Sequence, residues 1–149
     1  MADYQSIVQK IVDKLKTATG LVEGTDVNKY YFGAPARILA YPAIYIQFVR
    51  REPTGIADTA KYGYILTFEI GIIDRHVDED VAEKNVYDKI NLIDTELDKP
   101  ANLSLDGLVE ETRLSRSLEI IHAIEGSGKK SGDYAITYAR MLHRVLRYE

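Results

Sequence analysis

A long alternation of apolar with polar or small residues runs from Tyr62 to Asp74. Because successive side chains of a β-strand point to opposite faces of a sheet, this period of two predicts one strand of unusual length. One face of it carries Tyr64, Leu66, Phe68, Ile70 and Ile72. The other face is mixed and carries Ile65, Thr67, Glu69, Gly71 and Ile73. We therefore predict a β-sheet at the centre of the fold.

Three further strands are predicted along the chain. They are Ala43–Val49, Leu108–Glu125 and Tyr134–Tyr148. In the second of these, one face is expected to hold Leu114, Leu118, Ile120 and Ile124. The last strand is apolar on both sides, with Ile136, Tyr138, Leu142 and Leu146 opposite Ala135, Ala139, Met141 and Val145. We expect neighbouring subunits to bury the second face, since two helices can cover only one side of a sheet.

The segments between these strands are predicted to be loops. Arg50–Lys61 contains Pro53 and Gly55 and is too long for a tight hairpin. Gly24–Pro42 shows no sustained period, although it has room for a short strand around Tyr30–Phe32. Gly126–Asp133 is predicted to be a turn.

Two helices are predicted, each with a capping residue. Asp3 caps a first helix that spans Tyr4–Leu15 and presents apolar residues at helical spacing. Asp78 caps a second helix, which Lys99-Pro100 ends. The buried stripe of the second helix is predicted to be Ala82, Val86, Ile90, Ile93 and Leu97.

These elements follow one another in the order α-β-β-α-β-β. Strands grouped around helices indicate the α+β class, with a mainly antiparallel sheet packed by two main helices. The length of 149 residues is typical of one domain, so we expect residues 1–149 to form a single domain.

Composition and charge narrow the function classes. The chain has no cysteine, which excludes a disulfide framework, thiolate metal sites and a cysteine nucleophile. The net charge is −4, with −7 in residues 1–112 and +3 in residues 113–149. An acidic chain with a modest basic end is a poor nucleic-acid binder, but it suits subunits that dock acidic face on basic face. The chain shows neither a signal peptide nor an apolar run long enough to span a membrane, so we expect no membrane partner.

No motif for catalysis, a cofactor or a metal is found. The stretch Gly126–Gly132 contains a Gly-Lys pair, but it lacks the first glycine and the Ser or Thr of a phosphate-binding loop. His76, His122 and His143 have no metal-ligand spacing, and the acidic run Asp78–Asp80 is explained by the dipole of the helix that follows it. We therefore expect no enzyme, and no catalytic, cofactor-binding or metal-binding residues.

The candidate contact residues are cations on predicted loops and on the last strand. They are Arg50, Arg51, Lys61, Lys129, Lys130, Arg140, Arg144 and Arg147. The chain has 11 tyrosines against three phenylalanines and no tryptophan, and tyrosine is enriched at protein interfaces. We expect these cations to contact partner subunits.

The whole chain resembles the tail terminator, or tail completion, proteins of tailed bacteriophages. The resemblance lies in the order and size of its elements: the opening helix Tyr4–Leu15, the strand entry Ala40–Ile46, the long strand Tyr64–Ile73, the helix Val81–Leu97, the segment Asn102–Val109, and two long closing strands. It implies a homo-oligomeric, six-membered ring on the head-proximal end of the tail tube. Such a ring binds the tail tube protein, stops tube polymerisation and forms the docking surface for the head connector. It also implies passage of DNA through the lumen without specific binding, and a place in the virion after assembly in the host cytoplasm.

Two other classes remain open at this point. The chain is also consistent with another head–tail connector, neck or tube-like virion protein. From a different class, it is consistent with a small oligomeric binding or regulatory domain.

Overall fold

A computed structural model of the chain describes residues 3–38, 40–58, 61–110, 113–125 and 134–149. Its elements are α1 (Tyr4–Lys16), β1 (Lys29–Phe32), β2 (Ala43–Asp58), β3 (Lys61–His76), α2 (Glu79–Leu97), a short 3-10 turn (Pro100–Asn102), β4 (Ser117–Glu125) and β5 (Tyr134–Tyr148). The predicted α+β class is confirmed. The order is α-β-β-β-α-β-β, because the short strand around Tyr30–Phe32 does form and adds one strand to the predicted order.

The five strands form one mixed sheet in the order β1-β2-β3-β5-β4. β1 runs parallel to β2, and the other three pairs are antiparallel. β3 lies at the centre and pairs along most of its length with β2 on one side and β5 on the other. The long alternating segment of the sequence is therefore the central strand.

The predicted loop Arg50–Lys61 is wrong. β2 continues to Asp58 and pairs with β3 up to Asp58 and Lys61, so most of this segment is a long hairpin. Pro53 is tolerated because β1 pairs with β2 only at Ala43–Ile46, so that no described strand pairs with the other edge of β2 at the proline. Two register shifts, one before Arg50 and one between Pro53 and Ala57, take up the remaining irregularity.

The predicted start of the strand Leu108–Glu125 is also wrong. β4 begins at Ser117, and Leu114 lies outside it. The side chain of Arg116, just before β4, contacts α2 through Asp94 and Asp98, and these contacts direct the preceding segment towards the helix. The predicted turn Gly126–Asp133 lies outside the described residues.

Both helices pack on one face of the sheet, here called the core face. The predicted caps are confirmed, because the Asp3 and Asp78 carboxylates accept hydrogen bonds from the first turns of α1 and α2. The core joins the buried stripes of both helices to Ile44, Ile46, Leu66, Phe68, Ile70, Ile72, Ala139, Met141 and Val145. Residues of opposite parity, including Tyr45, Glu69, Tyr138 and Leu142, lie on the other face, here called the outer face. No described helix has the length and apolarity needed to cross a bilayer.

Candidate assembly surfaces

Two tyrosines meet at the centre of the outer face. Tyr45 of β2 pairs with Gly71 of β3, and Tyr138 comes from the neighbouring strand β5. Their rings are stacked with centroids 6.3 Å apart, and their hydroxyl groups share a hydrogen bond. Gly71 makes this arrangement sterically feasible, because a Cβ atom at that position would overlap the Tyr45 ring. Burial, followed by the hydrogen bond to Tyr138, raises the pKa of Tyr45 well above its ordinary value.

A charged group lies beside the tyrosines on the same face. The Glu69 carboxylate accepts hydrogen bonds from the Gln47 amide of β2 and from the Arg140 guanidinium of β5. Glu69 is only 5 % exposed, although it does not lie on the core face. The long side chains around it therefore cover the centre of the outer face from within one chain.

The centre of the outer face is more polar than the sequence led us to expect. Its strands do carry apolar residues such as Ile73 and Leu142, but Gln47, Glu69 and Arg140 form a polar network between them. Burial of this face by neighbouring subunits remains a prediction.

Three of the predicted contact residues converge at one end of the sheet. Arg51, Lys61 and Arg147 line a groove of about 490 Å³ together with Tyr64, Tyr148 and Glu149. The Arg51 guanidinium stacks 4.6 Å from the centroid of the Tyr64 ring and pairs with Glu149 Oε2 at 3.1 Å. Lys61 is exposed and makes no ion pair with any described residue. We call this cavity the basic groove.

The other predicted contact residues do not join this groove. Arg50 pairs with Glu52 of its own strand, and Arg140 pairs with Glu69. Arg144 donates a hydrogen bond to the carbonyl oxygen of Ser115 at 3.1 Å. Lys129 and Lys130 lie outside the described residues. The predicted set is thus divided between the groove, the outer face and a part of the chain that is not described.

Helix α2 carries the opposite charge. Its sequence holds six acidic residues and two lysines. Asp80 and Asp88 are exposed, and no ion pair to either is found in the described ranges. Lys89 is buried and Lys84 is exposed, so the solvent side of the helix, which also carries exposed Glu79, is acidic overall.

An arginine joins the end of α2 to the sheet. Arg116 donates hydrogen bonds to Asp94 at 2.8 Å, to Asp98 at 2.6 Å and to Nδ1 of His143 at 3.0 Å. Burial, and then the Arg116 charge, lower the pKa of His143 from 6.5 to about 3. Hydrogen bonding to Arg116 also lowers the pKa of Asp98. The neutral imidazole acts here as an acceptor that orients the arginine.

Sequence reasoning missed the network of Gln47, Glu69 and Arg140, and also the contacts of Arg116. The Glu69 carboxylate in the middle of an apolar strand indicated a polar contact, but the residues that it contacts depend on the register of the neighbouring strands. In the described part of the chain, no cluster of three or more histidine, aspartate or glutamate side chains could hold a metal ion. His76 instead accepts a hydrogen bond from the backbone N–H of Asp78.

The comparisons with known proteins find similarity among solved structures. No family model matches the sequence, and no curated protein matches it. Among solved structures, the chain is similar to one titled "Virion of native gene transfer agent (GTA) particle". The two chains are 14 % identical with a TM-score of 0.44, and the match covers 97 % of this chain and 99 % of that chain.

Proposed function

We propose that the chain is a structural virion protein that acts as a tail terminator. In this proposal its subunits form a homo-oligomeric ring, hexameric as in the family it resembles, that binds the last ring of the tail tube protein. The ring ends tube polymerisation and offers its other side to the head connector, and DNA passes through its lumen without specific binding. The protein works by shape and charge, with no catalysis and no cofactor, in a virion assembled in the host cytoplasm.

The observation that carries this proposal is the presence of two surfaces of opposite charge on one subunit. The basic groove has Lys61 at its rim, and the solvent side of α2 presents Asp80 and Asp88. Different surfaces that attract each other on identical subunits produce head-to-tail contacts, which close into a ring when the rotation between subunits allows it. Electrostatic complementarity of this kind steers association and fixes register.

The hairpin that forms one wall of the basic groove supports the same proposal. Tyr62, next to Lys61, is 69 % exposed and has the amphipathic character that interfaces favour. Its backbone is fixed by two hydrogen bonds to Glu149, each of 2.9 Å. A rigid strand end that offers a tyrosine and a lysine suits an intersubunit contact.

The first experiment measures the size of the purified protein. We expect a ring-sized species in light scattering and rings in negative-stain images, with the ring population falling as salt rises because salt screens exposed charges. A monomer at every concentration, alone and with tube protein, contradicts the proposal.

A charge exchange tests the contact between the groove and α2. Lys61→Glu and Asp88→Lys should each reduce ring formation, and a mixture or the double variant should restore it. Lys29→Glu is the matched control, because Lys29 is also an exposed lysine but lies on β1, away from the groove. Rings that are equally stable in all these variants would show that a different contact joins the subunits.

The capping role is tested by adding the protein to polymerising tube subunits. We expect shorter tubes, each with one added ring at an end. Binding to connector rings without an effect on tube length would favour a neck protein, and co-polymerisation along the tube would favour a tube-like protein. Small closed oligomers that bind neither the tube protein nor the connector would favour a binding or regulatory domain.

A further inference from the structure

The edge strand β4 differs from ordinary sheet edges. It pairs with β5 along all nine of its residues, and no described residue pairs with its other side. Leu118 is 48 % exposed and Ile121 is 42 % exposed, and the two side chains lie on opposite faces of the strand. The free edge therefore has apolar side chains on both faces.

Natural edge strands are commonly blocked against pairing with another chain. Proline, lysine, a bulge or a very short strand serves this purpose. β4 contains no proline, lysine or glycine, and its pairing with β5 shows no register shift. By contrast, the opposite edge strand β1 is only four residues long, and the Glu23 carboxylate accepts a hydrogen bond from the Tyr30 N–H at 3.0 Å. The part of β2 that extends beyond β1 carries Pro53 and two register shifts. β4 is the edge left open for pairing.

The sequence of β4 is complementary to itself in one antiparallel register. When Ile121 is placed opposite Ile121 of a second copy, Ile120 faces His122 and Glu119 faces Ala123. The exposed isoleucines then meet at the centre, and Glu119 does not face another acid. Apolar pairs directly opposite each other stabilise a sheet, whereas like charges in that position destabilise it.

We propose that β4 pairs antiparallel with β4 of a second copy of this chain, around a two-fold axis at Ile121. The pairing joins two five-stranded sheets into one of ten strands. Because the same surface is used on both subunits, the contact closes on two copies. It is separate from the head-to-tail contact of the proposed ring and goes beyond that function.

The absence of cysteine from the chain allows a direct test. In the Ile121→Cys variant, the two thiols should lie within disulfide distance, and mild oxidation should give a covalent dimer at least tenfold faster than in Phe32→Cys. Phe32 is a matched control, since it is 49 % exposed but lies on β1. A mixture of Glu119→Cys and Ala123→Cys should give the mixed dimer, whereas each of these variants alone should not.

A second measurement does not depend on a disulfide. The wild type should contain a species, made of two chains or of two rings, with twice the mass of the species that Ile121→Lys gives, while the circular dichroism spectrum stays unchanged. Equal cross-linking rates for Ile121→Cys and Phe32→Cys, or an Ile121→Lys variant that associates like the wild type, would overturn the proposal. Rings without cross-linked β4 would refute only this inference, and β4 dimers that never form rings or cap tubes would refute only the proposed function.

Discussion

The Glu69 carboxylate and the Arg140 guanidinium form an ion pair on the outer face of the sheet, across the neighbouring strands β3 and β5. In the strand register Arg140 stands opposite Gly71, so the pair is diagonal. Glu69 is buried, and without the arginine it would keep the uncharged Gln47 amide as a partner but no cation in the described part of the chain. A buried carboxylate that loses its cation is costly.

This pair leads to a first prediction, for Arg140→Leu. We expect a loss of about 2 kcal/mol in the free energy of unfolding, less than for a fully buried pair because Arg140 itself is partly exposed. Urea denaturation measures it. Arg140→Leu combined with Glu69→Leu should recover part of the loss, since no charge then remains buried. A double variant less stable than Arg140→Leu would contradict this explanation.

A second prediction concerns Gly71→Ala. The added methyl group would overlap the Tyr45 ring, so the ring must move away from Tyr138. We expect a cost of about 2 kcal/mol from this overpacking, measured by thermal or urea denaturation. Tyr45→Leu in the same background should relieve most of the cost, and a larger loss in that double variant would show that the ring is not the cause.

Much of the fold follows from local sequence signals. The caps Asp3 and Asp78 and the helix stripes are set by residues a few positions apart, and the parity of Tyr62–Asp74 alone fixes which side chains share a face. Pro53 misled the prediction of β2, because whether a proline breaks a strand depends on which neighbour lies beside it. Which strand lies beside Pro53 is decided by the tertiary structure, and local sequence does not reveal it.

The candidate surfaces were only partly predictable for the same reason. Arg51, Lys61 and Arg147 gather in one groove because register brings the ends of β2, β3 and β5 together. The sequence identified them as cations of interest but could not separate them from Arg140, whose charge is taken up by Glu69.

A third prediction concerns the cap of α1. The Asp3 carboxylate accepts hydrogen bonds from the N–H groups of Gln5 at 2.7 Å and Ser6 at 3.3 Å. Asp3→Ala should lower the free energy of unfolding by about 1 kcal/mol, because these two donors lose their acceptor. Asp3→Asn is the control and should retain most of the stability in chemical denaturation. If both variants were equally unstable, the capping oxygen would not be the cause.

The last prediction is a loss of stability in acid that arises from His143. Its pKa is about 3 in the folded chain against an ordinary value of 6.5, because burial and the Arg116 charge disfavour the imidazolium. Above pH 6.5 the residue is neutral in both states, so its contribution is fully present there. As the pH falls from 6.5 towards 3, His143 binds a proton in the unfolded chain but not in the folded chain. The free energy of unfolding therefore drops by up to about 1.4 kcal/mol per pH unit.

His143→Gln isolates this effect, because a glutamine oxygen can still accept the hydrogen bond from Arg116 Nε but does not titrate. Urea denaturation of both proteins between pH 4 and 7 should give a shallower pH dependence for the variant, by close to one proton. Carboxylates such as Asp98 titrate in both proteins and cancel in the difference. Parallel curves would mean that His143 takes up its proton in the folded state at an ordinary pH, and that Arg116 is oriented by Asp94 and Asp98 alone.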